Sequence, residues 1–219
     1  MSVDRRLPLL AELYQHYLDD HDADRFARKV GRSYSQGTLE RLAGHDAAVV
    51  RRSAVLALGF LGDYRANPAM GKALLDDDRT VRLLAENGIR DVWTRLGTEM
   101  QRRKLQLILR LNAAKHYEEA DRRATELIGS APWFAEAWNQ RAVARYALER
   151  WAEAIRDCHE ALELNAYHFA AASGMGHAYL RLDNPLAALQ CFRRALTLNP
   201  SLEGIRAEVD RLARIVEKE

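Results

Sequence analysis

Ala120, Ala154 and Ala188 stand 34 residues apart, as do Leu127, Ala161 and Ala195; Leu107, Arg141 and Met175; Leu111, Arg145 and Tyr179; and Pro132, Ala166 and Pro200. The register runs through the second half of the chain without an insertion. A period of this length marks one supersecondary unit stacked on copies of itself, because a lone helix pair leaves an apolar face wet and needs neighbours to bury it. The chain is therefore expected to be an all-α solenoid, a fold whose usual work is binding.

The period divides the chain into units 101–134, 135–168 and 169–202. Each holds two helices parted by a short turn, at Lys115-His116, Glu149-Arg150 and Asp183-Asn184. Pro185 sits at a first helical position, where its missing N–H costs nothing. The second helices are expected to end near Gly129, Asn165 and Asn199. Ala142 and Gly176 on first helices, with Ala154 and Ala188 on second helices, mark close crossings. Tyr117, Trp138, Trp151, Tyr179 and Phe192 fill the adjacent holes.

This pattern resembles the tetratricopeptide repeat. The middle unit carries it in Trp138, Ala142, Ala154 and Ala161, and the third in Met175, Gly176, Tyr179, Ala188, Phe192, Ala195 and Pro200. The first unit departs from it, with Lys104 and Ile108 in the Trp and Gly columns. Beyond the repeats, Ile205, Val209, Leu212 and Val216 recur at helical spacing opposite Arg206, Asp210, Arg211 and Arg214. Residues 203–219 are therefore expected to form a capping helix, apolar toward the last repeat and polar toward water.

Upstream the period changes. Asp46, Val50, Arg51, Ala54 and Leu58 recur 31 residues later as Asp77, Val81, Arg82, Ala85 and Ile89. Each copy follows a shorter helix, near 37–43 and 68–75, so the unit is again a helix pair. The pattern resembles HEAT-like repeats, and the resemblance implies that the Asp caps the second helix while the Arg reaches an acidic side chain of a neighbouring repeat. The helix over 46–62 is apolar almost all round and needs cover on several sides. The N-terminal helices, over 8–18 and about 24–31, are expected to supply it. The expected organisation is N-terminal helices over 1–35, HEAT-like repeats over 36–97, three tetratricopeptide repeats over 98–202, then the cap. No Pro-, Gly- or Ser-rich linker separates the two repeat types, and Thr98 with Gln101 forms a capping box that starts the next helix at once. This favours one continuous body.

Composition narrows the function. The formal net charge is +2 over 219 residues, without the basic excess of a dedicated nucleic-acid binder. Arg5 and Arg6 precede an apolar run, Leu7 to Ala11, too short for a secretory signal, and no stretch approaches a membrane span. Cys158 and Cys191 fall on corresponding helices and suit buried thiols in a reducing, cytoplasmic compartment. Asp20, Asp22 and Asp24 alternate like the start of a calcium loop, but Arg25 and Gly31 stand where its Gly and Glu belong. The histidines show no zinc spacing. Cys158 and His159 are adjacent on a helix and diverge, and no Gly-rich phosphate loop occurs. Neither a cofactor nor an enzyme activity is expected.

In tetratricopeptide proteins the first helix of each unit lines a concave face. The resemblance carries that face onto Leu105, Asn139 and Ser173; Leu109, Val143 and His177; and Asn112, Tyr146 and Leu180, with Arg181 at the rim. Asn139 is placed to bond a peptide backbone, and Val143, Tyr146 and Leu180 to make apolar contact. The family's clamp for a C-terminal carboxylate needs Lys, Arg and Asn in columns held here by Leu105, Leu109 and Ala170, so chaperone-tail capture of that kind is not expected. The expected function is a non-enzymatic scaffold binding a protein or peptide along that face. The competing readings are a nucleic-acid-associated HEAT-like protein and a HEAT-type lyase.

Overall fold

The computed structural model describes residues 8–216. Arg5, Arg6 and Leu7 of the apolar run, and the last three positions of the expected cap, lie outside the described residues. Among those described, every element is helical: thirteen α-helices and one 3-10 turn. The chain divides into two compact units, 1–92 and 93–219, and the division falls within α6 (Arg79–Thr94).

In the first unit α1 (Leu9–Asp20) and α2 (Ala23–Ser33) both pack on α4 (Ala48–Leu61), which also meets α3 (Gln36–Leu42) and α5 (Asn67–Ala73). This meets the expectation drawn from the all-round apolarity of α4, whose residues 53–59 are all buried. Asp22 caps α2 through the Arg25 N–H at 2.8 Å, and Asp20 accepts from the Asp22 N–H and pairs with Arg25. The three alternating aspartates thus span the turn from the end of α1 to the start of α2.

The 31-residue period has a side-chain signature. The Arg51 guanidinium donates to the carbonyls of His45 and Asp46, and Arg82 donates to those of Asp76 and Asp77, the same two positions one period on. Arg51 also grips the Asp76 carboxylate with two bonds of 2.7 and 2.8 Å, and Arg52 grips Asp78 likewise. One expectation is corrected. The side-chain cap of α6 is Asp78, accepting from the Val81 N–H at 3.0 Å, rather than Asp77, and α4 follows Ala47 with no side-chain cap. Asp77 is exposed, whereas Asp78 is held by Arg52 where its carboxylate meets the free N–H groups of the first turn. Helices α4 and α6 cross at Gly59 and Gly88, where a Cβ on Gly88 would lie 2.7 Å from the Gly59 Cα.

The second unit is a solenoid of stacked pairs: α7 (Glu99–Ala113) with α8 (Tyr117–Ser130), α9 (Ala135–Ala147) with α10 (Trp151–Leu164), and α11 (Phe169–Arg181) with α12 (Pro185–Leu198), closed by α13 (Glu203–Val216). Thr98 and Gln101 form the expected capping box. Ala120, Ala154 and Ala188 are all buried. Each pair turns on one residue with left-handed backbone, Lys115, Glu149 and Asp183, at φ of 62°, 61° and 54°. The next N–H then reaches back to a carbonyl of the first helix, His116 to Leu111, Arg150 to Arg145 and Asn184 to Tyr179, so the same C-terminal closure recurs every 34 residues.

Two features of this unit were not legible in advance. Arg141 and Arg145 occupy columns filled by Leu107, Met175, Leu111 and Tyr179 in the other repeats, yet both are accommodated inside. Arg141 binds the buried Asp157 through two bonds of 2.9 and 2.8 Å and donates to the Thr125 hydroxyl. Arg145 bridges Asp157 and Asp121, and Arg150 joins Asp121 to Glu153. The network ties α8, α9 and α10 together, and it is acceptable in a core because the charges are matched and hydrogen-bonded. The second feature is α13, which keeps the 34-residue register of a first helix. Ala144, Ala178 and Leu212 are all buried, and the Arg206 guanidinium donates to the Pro200 carbonyl just as the Trp138 indole N–H donates to that of Pro132.

Candidate functional site

The first helices α7, α9 and α11 lie side by side, so residues in equal columns form rows across them. The rows differ along the helix axis. In α9, Ala135, Glu136, Ala137 and Asn139 are buried, while Val143 and Tyr146 expose 43% and 36% of their surface. On α9 the strip is closed at the helix start and open toward the helix end.

The closed end is a polar cluster. Trp93, the first residue of this unit, stacks on the His168 ring at 4.2 Å between centroids and tilts against Phe169 at 5.2 Å. His168 Nδ1 accepts the Ala171 N–H and caps α11. The proton therefore sits on Nε2, which donates to Glu136 at 2.9 Å. The other Glu136 oxygen accepts from Gln140 and Asn139. Burial pushes the Glu136 carboxyl up, but the hydrogen bonds from His168 and the two amides outweigh this, leaving the pKa below the usual carboxylate value. Sequence spacing gave no sign of the cluster, because Trp93, Glu136 and His168 share no helix.

Asn139 is accordingly corrected. Its amide donates to Glu136 at 3.3 Å and the residue is 7% exposed, so it is a part of the closed end and not a free donor to a peptide. Ser173 is half-buried, its hydroxyl donating to the Phe169 carbonyl. His177 is half-buried, edge-on to Phe192 at 4.9 Å, and burial lowers its pKa against a partial opposing effect of Glu208. Leu180 is half-buried and packs, as do Ile205 and Val209 of α13, against the cluster of Ala188, Leu189, Phe192 and Leu212. Arg181 is exposed, its guanidinium 5.1 Å over the Trp151 ring. Leu105 is fully buried, in the core with Ile108 and Leu127, and Leu109 packs against that core.

Elsewhere, an open cleft of about 770 Å3 lies in the first unit. Its walls mix Arg41, Arg65 and Lys72 with Glu40, Asp46 and Asp77, without the convergent polar groups and apolar walls of a small-molecule site. Among the described residues no three of His, Cys, Asp and Glu gather as a metal site, and no helix is long and apolar enough to cross a membrane. Cys158 and Cys191 are buried free thiols, and burial pushes that of Cys158 up to about 12, far from the reactive thiolate range.

Stacked helix pairs of fixed period with an open strip along the first helices define a helical-repeat protein. Tetratricopeptide repeat models match residues 135–168 and 172–202, and the chain carries tetratricopeptide repeats over those residues. It is 28% identical over 88 residues to a TPR repeat-containing protein of Rhizobium etli, 40% of this chain and 43% of that one. It is 28% identical over 95 residues to the Hsp70-Hsp90 organizing protein of Triticum aestivum, 43% of this chain and 16% of that one. Each match thus spans less than half of the curated relative. Among solved structures, the first TPR of Spaghetti (RPAP3) bound to HSP90 peptide SRMEEVD aligns with a TM-score of 0.53 at 22% identity, over 56% of this chain and 97% of that one. The first TPR domain of human RPAP3 aligns at 0.52 and 24%, over 56% and 96%. At these identities the likeness is one of fold.

Proposed function

We propose that the protein is a non-enzymatic scaffold that captures a protein or peptide segment along the strip formed by the first helices of its tetratricopeptide repeats. The observation that carries this reading is the exposure of Val143 and Tyr146 on a helix whose Ala135, Ala137, Ala142 and Ala144 are buried. An aromatic and a β-branched side chain held rigidly at a surface are the kind of anchors that dominate peptide interfaces. The fold shared with a repeat domain bound to an HSP90 peptide supports a peptide-sized partner. The clamp columns do not support a free carboxylate terminus as the recognised group, since Leu105 is buried and Ala170 carries no charge. A photo-crosslinking residue at position 146 in the full chain is expected to trap a partner in extract of the source cell, and Val143→Ser with Tyr146→Ala to reduce capture at an unchanged thermal midpoint. Equal capture by that double variant would place the binding surface elsewhere.

We also infer that the first unit is built of HEAT-like repeats and that the protein works in the cytoplasm. The paired carbonyl contacts of Arg51 and Arg82, one 31-residue period apart, support the former. The buried free thiols support the latter.

A further inference from the structure

The open strip continues onto α13. Taking α13 as a first helix in the 34-residue register, Val143 and His177 are followed by Arg211, Tyr146 and Leu180 by Arg214, and Ala147 and Arg181 by Ile215. The placement is more than arithmetic. Leu212 is buried at the position of Ala144 and Ala178, Ile205 and Val209 pack against the same buried cluster as Tyr179 and Leu180, and the Glu208 carboxylate is close enough to act on His177. Arg211 and Arg214 are exposed, and Ile215 is 39% exposed.

These rows across α9, α11 and α13 contain no acidic residue. They hold Val143, Tyr146, Leu180 and Ile215 as apolar contacts, and Arg181, Arg211 and Arg214 as cations at one end. Glu208, one column away, pairs with Arg211 at 2.7 Å. Arg181 lies over Trp151 and Arg214 donates to the Asp210 carbonyl; among the described residues neither pairs with a carboxylate, and both retain N–H groups that can turn to a ligand. An apolar strip ending in cations with no anion in its rows is complementary to an apolar segment followed by carboxylates.

Resting on the reading of the strip as a peptide site, we propose that it selects a segment whose apolar side chains lie on Tyr146 and Leu180 and whose Asp or Glu side chains meet Arg181 and Arg214. The groups recognised are side-chain carboxylates within the segment, at the ends of the first helices and on α13, and no terminal carboxylate is needed.

The test uses the full chain and two short fluorescent peptides of Leu, Tyr and Glu, or of Leu, Tyr and Lys, both acetylated and amidated so that neither has a charged end. The Glu peptide is expected to bind, more weakly in about 0.5 M salt because the contacts are exposed. Arg181→Glu with Arg214→Glu is expected to weaken it by about tenfold or more and to favour the Lys peptide instead. Arg214→Gln, a milder change, is expected to weaken it less, and unchanged thermal midpoints show that both variants fold. The proposal is overturned if the Lys peptide binds wild type as well as the Glu peptide does, if charge reversal leaves the affinity unchanged, or if the Glu peptide fails to bind at about 1 mM. Tyr146→Ala separates the two readings. Binding of both peptides that falls with Tyr146→Ala keeps the strip as a peptide site while removing its acidic preference. Binding insensitive to Tyr146→Ala and to charge reversal alike removes both.

Discussion

Gly176 lies so close to Phe192 that a Cβ on the glycine would stand 2.5 Å from the ring's Cε1 atom. The same two columns hold Ala142 with Cys158 one repeat earlier and Ile108 with Ala124 in the first repeat, all buried. The larger the residue on one helix, the smaller its counterpart on the other, so the space between the helices of a pair is filled at roughly constant volume. Gly176→Ala is accordingly expected to cost about 1–3 kcal/mol by overpacking. Adding Phe192→Cys, which recreates the middle repeat's pair, is expected to reduce the non-additive part of that loss. Chemical denaturation of the single and double variants measures the coupling, and strictly additive effects would show that the two columns do not share one space.

The buried Arg141–Asp157 pair is expected to behave asymmetrically. Asp157→Ala leaves Arg141, which is 8% exposed, without its carboxylate, and should destabilise by about 3–5 kcal/mol. Arg141→Met with Asp157→Cys copies Met175 and Cys191 of the third repeat and should cost less than Asp157→Ala alone, since an apolar pair of suitable size removes the charge instead of stranding it. Denaturant midpoints at constant slope decide the order.

Glu149 adopts a φ of 61°, where a side chain is strained and glycine is not. Glu149→Gly is expected to raise stability by up to about 1 kcal/mol, the relief of strain exceeding the added freedom of the unfolded chain. A lower thermal midpoint for the glycine variant would show that the Glu149 side chain makes a stabilising contribution greater than its strain.

The Asp78 carboxyl is held at about 2, against an ordinary 3.8, chiefly by the Arg52 hydrogen bond, with burial opposing and the Val81 N–H assisting. A depressed carboxyl pKa stabilises the folded state fully above the unfolded value. That contribution fades as pH falls from about 4 toward 2. Asp78→Asn should therefore be less stable than wild type at pH 6 and lose less on acidification to pH 2.5. Parallel thermal-midpoint curves for the two proteins across that range would contradict the assignment.

The helical periods, the turns and the capping box were legible in the sequence because each depends on residues near one another along the chain. A 34-residue recurrence of Ala120, Ala154 and Ala188 fixes the pairing of helices, since only small side chains fit where two helices cross closely, and Thr98 with Gln101 fixes where α7 starts. The exposure of Val143 and Tyr146 followed from column position for the same reason. Tertiary structure alone decided the burial of Asn139, the stacking of Trp93 on His168 and the lodging of Arg141 and Arg145 in apolar columns. For Trp93, Arg141 and Arg145 the deciding partner lies on a different helix, and the local pattern records only that a residue faces inward. Whether an inward-facing charge is tolerated depends on an opposite charge arriving from a neighbouring helix at hydrogen-bonding distance, a condition that packing in three dimensions meets and that one-dimensional spacing does not encode.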